Sequence, residues 1–447
     1  MPSDYTLPFA AGLLLVVLGV LLLLGLALRR LGGLLLRRRF QARRRLRSAG
    51  LGLMAFGALT DAGSLRVQHA TMAHAVTDLV MTAAPRPPAD WRSTVTPPAP
   101  YLLLAGDVHC HINPPDWSDH VSRHLPETVA LARAEGLDFV SLVPHVFTNF
   151  FADPAERTKV TSSLADLRAR VDARPPDDLI LDIGVEYIDP TGHVGMVFGD
   201  VSAALASTPL DVAQANPGAF FDTFADQGGI LVVNHPLLTP ILRGVPLASL
   251  DISWQPFTGS PPFRPEIAAV NARAGTFEAA NLFVSAFRDR LMLHDAEVST
   301  RAVLRRLDQE ILLRKRRLTP VGGTDSHSFH LRPMTFVLAN ERSHDAIGEA
   351  IRAGRTCIGQ PAACTFEVGE GAGFSPVGSS LPASERVWVR AQGRSIAVLR
   401  NGEQVAAPSS GEAVAVEVAG GSCSVLRAVV DGGYSAPVYV GCPFADR

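Results

Sequence analysis

A chain of 447 residues is long enough for roughly two or three domains, and 47% hydrophobic against 19% charged residues makes it rich in apolar matter. The formal net charge of −2 argues neither for nor against an acidic substrate. The five cysteines, Cys110, Cys357, Cys364, Cys423 and Cys442, are too few and too scattered for a disulfide scaffold or a CxxC zinc site.

In chain order, residues 9 to 28 come first: twenty residues without a charge. At about 1.5 Å per residue they span about 30 Å of hydrocarbon as a helix. Asp4 is the only early charge and the arginines follow the apolar run, so a retained anchor is expected rather than a signal peptide. Arg29, Arg30, Arg37, Arg38, Arg39, Arg43, Arg44, Arg45 and Arg47 place the next loop in the cytoplasm by the positive-inside rule. No aromatic interleaving points to nucleic acid, and none is expected as a partner. Residues 48 to 65 form a weaker apolar run, interrupted by Asp61. We expect it to cross back, giving a hairpin anchor in the cytoplasmic membrane with the enzyme outside. Residues 1–66 are then the anchor, with the lipid bilayer as partner. Residues 67–100 are a weak juxtamembrane helix and a proline-rich, extended linker whose prolines exclude a helix.

From Tyr101 the pattern alternates apolar strand with amphipathic helix, the signature of a parallel sheet or barrel over residues 101–365. Readable helices begin near Pro126 and end at Gly136, run from about Arg157 to Ala173 and from Glu297 to Arg316, and close with His344 to Arg352. Beyond about residue 366 the style changes to short apolar runs between Gly, Ser and Pro turns, a small β-sandwich-like unit in which Asn401-Gly402 signals a hairpin. Cys423 and Cys442 share this region; they pair if it is exported, or stand as two buried thiols.

The chemistry sits at the strand ends. Gly106-Asp107-Val108-His109-Cys110-His111 places two imidazoles at i and i+2 after the run Tyr101 to Ala105, so a period of two turns both to one face, where they can share a divalent metal. Similar pieces recur: Val143-Pro144-His145, Gly184-Val185-Glu186, Gly192-His193, Asn234-His235-Pro236 and Asp325-Ser326-His327, each at or beside an apolar strand. In a barrel of parallel strands such ends converge on one mouth, so six separated pieces can build one polynuclear site.

In this order the pieces resemble the PHP (polymerase and histidinol phosphatase) metallohydrolases, over roughly residues 100 to 365. Phe277-Glu278-Ala279-Ala280-Asn281, Arg352-Ala353-Gly354-Arg355-Thr356 and the end of the β tail at Ala436-Pro437-Val438-Tyr439-Val440 look most like the carbaryl-hydrolase-like branch. The resemblance implies a distorted (β/α)7 barrel behind an N-terminal transmembrane anchor, with a small C-terminal β domain over residues 366–447. It also implies a ligand set for two or three divalent transition ions, Zn, Mn or Fe. His109, His111, Glu186 and Asp325 would hold one; Glu186 would bridge to a second held by His193 and His235; His145 and His327 would serve a third. Asp119 is the choice for the remaining ligand, with His120 and Asp116 still open because Asn113 to Trp117 lengthens the usual interval. Pro144 stands where the family commonly has Asp, so another group must orient His145. Asp107 shares the face of the His pair and is expected to orient it. The implied activity is hydrolysis of a small-molecule phosphoester by a water acidified on metal, with carboxyl or carbamate esters, or a non-catalytic metal-binding assembly module, as the other readings.

Overall fold

The computed structural model describes residues 86–117, 121–237, 253–282, 296–370, 373–418 and 420–444. Both candidate spans, the juxtamembrane helix before residue 86, and Asp119 with His120 lie outside them. Among the described residues, no helix is long and apolar enough to cross a membrane.

The proline-rich segment is not wholly extended, contrary to expectation: Trp91–Thr94 forms one helical turn. Its prolines cluster at 85–88 and 97–100, leaving the residues between them free to coil. Tertiary contacts then hold the turn. Trp91 is buried edge-on to Phe336 at 5.4 Å, and Arg92 donates to Asp138 and to the Gly136 carbonyl, each at 2.8 Å.

Strand β1 (Leu102–Cys110) is the axis of the first sheet. β2 (Phe139–Leu142) lies parallel to β1, and β4 (Ile180–Ile183) lies parallel to β2. The second sheet takes β3 (His145–Phe147), β5 (Val185–Asp189), β6 (Gly192–Val197), β7 (Ile230–Asn234), β8 (Thr276–Asn281) and β9 (Thr319–Gly323), paired in that order. β3 and β5 are parallel, as are β7, β8 and β9, but β6 runs antiparallel to both neighbours. The all-parallel expectation fails at β5 and β6 because only Pro190 and Thr191 connect them. A link that short can only close a hairpin, whereas a parallel crossover takes a dozen or more residues.

The chain changes sheets twice. β2 leads into β3 across Pro144, and β4 into β5 across Gly184, so each pair is one run that passes from the first sheet to the second. Pro144 cannot donate to a ladder. A Cβ on Gly184 would stand 2.0 Å from the Met196 carbonyl oxygen, which only glycine avoids. The two sheets meet again where the end of β1 bridges to Ser326, beyond β9.

β10 (Thr335–Ala339) pairs antiparallel with β1, and β11 (Thr356–Ile358) with β10. The change of style near residue 366 does not interrupt this sheet: Gly433–Ser435 pairs with β11, and Ser424–Val430, Ile396–Arg400 and Val438–Val440 extend it. A separate four-stranded antiparallel sheet contains Glu367–Glu370, Gly373–Pro376, Arg386–Arg390 and Val414–Glu417. Asn401 and Gly402 turn between Ile396–Arg400 and Glu403–Ala406 with φ of 52° and 87°, the left-handed pair a tight hairpin turn requires. Cys423 and Cys442 are bonded, and so are Cys357 and Cys364, a pairing across the 3-10 turn after β11 that spacing alone did not suggest.

Helices cover the outer faces. Pro154–Ala173 is capped by Asp153, which accepts from the amides of Ala155 and Glu156, and it buries Val160, Leu164 and Leu167 at i, i+4 and i+7. Beneath it, Phe150, Phe151, Phe220, Phe221, Phe224 and Tyr187 form the core of the second sheet. His344–Arg352, capped by Ser343, packs against β10. The layers leave the carboxyl ends of β1, β2, β7 and β9 to point into one space.

Candidate metal centre

His109 and His111 lie at the end of β1 with ring centroids 5.1 Å apart, as the period of two expects. His145, just after the Pro144 switch, pairs in register with Glu186 just after the Gly184 switch. The same sheet crossing therefore delivers both residues. His193 opens β6 opposite Asn234 at the end of β7, and His235 follows. His235 and Asp325 have left-handed backbones, φ 29° and 52°, sparsely populated for residues with a Cβ. Each turns its side chain inward where a continuing strand would have carried it past, and such strain clusters at functional sites. Close approach of the elements depends on Gly323: a Cβ there would stand 2.3 Å from Glu278 Oε1 and 2.5 Å from His109 Cβ.

Glu186 is the centre of the arrangement. Its Oε1 lies 3.2 Å from His109 Nε2, 3.4 Å from His193 Nδ1 and 3.7 Å from His235 Nε2. Its Oε2 lies 3.5 Å from His145 Nε2 and 3.6 Å from His111 Nε2. Asp325 Oδ1 is 3.1 Å from His111 Nε2 and 3.4 Å from His109 Nε2. Among the described residues, three groups have potential ligand atoms within 4.8 Å of one another: His109 with His111 and Asp325; Glu186 with His193 and His235; and His111 with His145 and His327. Eight of the nine expected ligands are thus brought together, and Asp119 lies outside the described residues.

The donors fit divalent ions. Bonds of about 2.1 Å in tetrahedral geometry separate ligand atoms by about 3.4 Å, the range seen around Glu186. Among the described residues, the buried His109 Nε2 has no hydrogen-bond partner, although it faces Glu186 and Asp325. A buried nitrogen left so costs about 1–3 kcal/mol unless something accepts its lone pair. Mixed imidazole and carboxylate donors suit Zn, Mn or Fe better than calcium.

Further groups fix the imidazole tautomers. His109 Nδ1 is 3.0 Å from Glu278 Oε1, His145 Nδ1 is 3.0 Å from Asp116 Oδ1, and His327 Nδ1 is 2.9 Å from the Asp325 carbonyl. With Nδ1–H donating, each ring keeps its Nε2 lone pair for a metal. Asp116 also accepts from the His145 amide at 2.9 Å, and its Oδ2 is 3.5 Å from His111 Nδ1, so it takes the orienting role that Pro144 cannot. Glu278 was not chosen as a site residue from sequence. It accepts as well from the His235 amide and from Asn281 Nδ2, both at 2.9 Å. The available signal was a carboxylate inside an otherwise uncharged strand, which is rarely buried without partners. Asp107 orients backbone rather than a ring: it accepts from the amides of His109 and Thr324, each at 3.0 Å, and from the Thr324 hydroxyl. Burial pushes its carboxyl up to about 7 against those bonds.

The centre is electrostatically coupled. Burial opposes charge on Glu186 and Asp325, yet the surrounding imidazoles hold both well below the usual carboxylate range. Burial likewise pulls His109 and His111 down, but the carboxylates win and raise His109 well above its ordinary value and His111 to about 9. His193, more affected by burial, is lowered. A ligand imidazole must be neutral, so metal competes with protons at His109 and His111. Uptake at pH 7 should therefore release protons, and apparent affinity should keep rising with pH through about 9, where His111 is only half neutral. Calorimetric titration in buffers of different ionisation enthalpy measures the proton count; zero at pH 7 would contradict this electrostatic picture.

No family model matches the chain. No curated protein matches it either. Among solved structures it is similar to a two-domain protein from Bacteroides vulgatus ATCC 8482 containing a predicted PHP-like metal-dependent phosphoesterase, at 17% identity over 79% of this chain and 100% of that one, with a TM-score of 0.38. It is also similar to PsfC from Pseudomonas syringae PB-5123, at 14% identity over 56% of this chain and 86% of that one, TM-score 0.30. A third, from Bifidobacterium adolescentis ATCC 15703 and assigned by inference to the metal-dependent phosphoesterases, shares 14% identity over 52% of this chain and 89% of that one, TM-score 0.25.

Proposed function

We propose that the chain is a membrane-anchored, metal-dependent hydrolase of the PHP type that cleaves a phosphoester of a small molecule, with its catalytic body outside the cytoplasmic membrane. The observation that carries the reading is Glu186, a single buried carboxylate with five imidazole nitrogens within 3.7 Å. Divalent ions held there supply Lewis acidity toward a phosphoryl oxygen and toward water.

The chain's own residues hold this chemistry in place. Glu186 offers two oxygens to two groups of histidines, and Asn234 Nδ2 donates to its Oε1 at 2.8 Å, fixing the carboxylate plane. Glu278 and Asp116 lock ring orientation. The side chains of His193 and His327 are 14% exposed while those of His109, His111, His145 and His235 are at most 5%, so substrate meets the centre from the His193 and His327 side. Cys110 offers no competing nucleophile: burial pushes its thiol up to about 11, and it is fully buried.

The test is turnover by the purified full-length chain on phosphomonoesters, phosphodiesters, aryl carboxyl esters and carbamates, with and without chelator. Chelator-sensitive phosphoester cleavage is expected. His109→Ala and Asp325→Ala should each lower it by about a hundred- to a thousandfold, what removing a group central to the transition state costs, and Cys110→Ser should leave it largely intact. Preference for the carboxyl or carbamate esters would replace the phosphoester reading, and a fully metallated chain that turns over nothing would favour a binding module.

The location outside the membrane draws support from the two disulfides, since such bonds persist in oxidising compartments. Reporter fusions after Pro100 should be active only outside the cytoplasm. A reporter active only inside would leave a single span and an inward-facing enzyme.

A further inference from the structure

Arg123 belongs to none of the motifs that carry the centre, yet it is fully buried. Among the described residues its guanidinium meets only neutral acceptors: Nε donates to Thr128 Oγ1 at 2.9 Å, Nη1 to Ser326 Oγ at 2.8 Å and to the Ser328 carbonyl, and Nη2 to Cys110 Sγ at 2.8 Å and to the carbonyls of His111 at 3.2 Å and Ser326 at 3.4 Å. An arginine is almost never fully buried without a paired charge. Apolar filling would avoid the desolvation of this cation, but it could not do what the fork does here.

The acceptors locate that role. Cys110 and His111 belong to the segment that presents His109 and His111; Ser326 and Ser328 belong to the loop that presents Asp325 and His327. These segments touch directly through the Asp325 amide on the His109 carbonyl, 2.8 Å, and the His111 amide on the Ser326 carbonyl, 3.2 Å. Thr128, which donates to the His124 carbonyl at 2.9 Å, anchors the guanidinium to a third element. We propose that Arg123 is a positioning residue of the metal centre, setting the spacing between the His109/His111 segment and the Asp325/His327 loop. This rests on reading the cluster as a metal centre.

The consequence is selective. The groups His109, His111, Asp325 and His111, His145, His327 each draw ligands from both clamped segments, whereas Glu186, His193 and His235 draw on neither. Lysine has donors on a single nitrogen and cannot reach acceptors on both segments in one plane.

Cobalt(II) titration of the full-length chain, followed by equilibrium dialysis and visible absorption, tests this without reference to activity. In Arg123→Lys, cobalt in the two groups that span the clamp should bind at least tenfold more weakly, while one cobalt per chain keeps its wild-type affinity and spectrum. Ser326→Ala removes one acceptor and should shift the same ions a few-fold; it decides the matter alone if Arg123→Lys does not fold. Parallel weakening of every ion, the signature of a merely structural residue, or unchanged binding in both variants overturns the proposal while leaving the metal reading intact. A wild-type chain that binds no cobalt removes the metal reading itself, and the role of Arg123 with it.

Discussion

Glu186→Ala should strip more than one divalent ion from each chain, because two ligand groups meet at this carboxylate and each loses an oxygen. The five imidazoles around it lose at once the anion, each having a nitrogen within 3.7 Å of one or other of its oxygens. Substitution of an orienting group such as Asp116 weakens metal by about 10- to 100-fold; loss of a shared ligand should exceed that and abolish turnover. Metal analysis after dialysis gives the stoichiometry. The wild-type chain should also melt higher with added metal, since ligation favours the folded state, and the variant should lose most of that increment. Unchanged metal content in Glu186→Ala would remove the bridge from the scheme.

The second large effect lies away from the centre. Arg427 Nε and Asp308 Oδ1 are 2.6 Å apart with side chains only 1% and 2% exposed, joining Ala296–Arg314 to Ser424–Val430. Burial raises the Asp308 carboxyl, and Arg427 pulls it back. Arg427→Ala leaves that carboxylate buried and alone, which should cost about 3–5 kcal/mol in chemical denaturation. Pairing Arg427→Met with Asp308→Leu should recover most of the loss, because two apolar side chains leave no charge to solvate. The pH dependence has a definite sign. In Arg427→Ala the folded-state carboxyl lies further above its unfolded value of about 3.9, so the protonated form is favoured in the fold. The variant's deficit therefore shrinks as pH falls toward 4 and widens as pH rises. A deficit independent of pH would mean that Asp308 is not the group left unpaired.

Much of the site was legible because its histidines and acids interrupt apolar runs at strand ends, where burial and chemistry leave different marks. The His344–Arg352 helix is likewise found with the bounds read from sequence, since Ser343 caps it and Gly354 follows. Strand direction was not legible: β5, β6 and β7 are equally apolar in either sense, and only the two-residue link betrayed the hairpin. Glu278 and Asp116 were harder to assign because each acts through an imidazole distant in sequence; His109 lies 169 positions from Glu278. Trp91 shows the complementary case. Local proline content argued for an extended chain, and packing on Phe336 outweighed it.

The pairing of Gly433–Ser435 with β11 also governs when the fold can finish. β11 has an unsatisfied edge until Gly433–Ser435 emerges, so the sheet that carries His109 and His111 is completed only late in elongation. Such late, long-range pairing is slow and leaves strand edges open to other chains. The β11 edge is therefore open to other chains until that strand pairs, so the interval before pairing, more than the finished fold, is the stage exposed to edge-to-edge association.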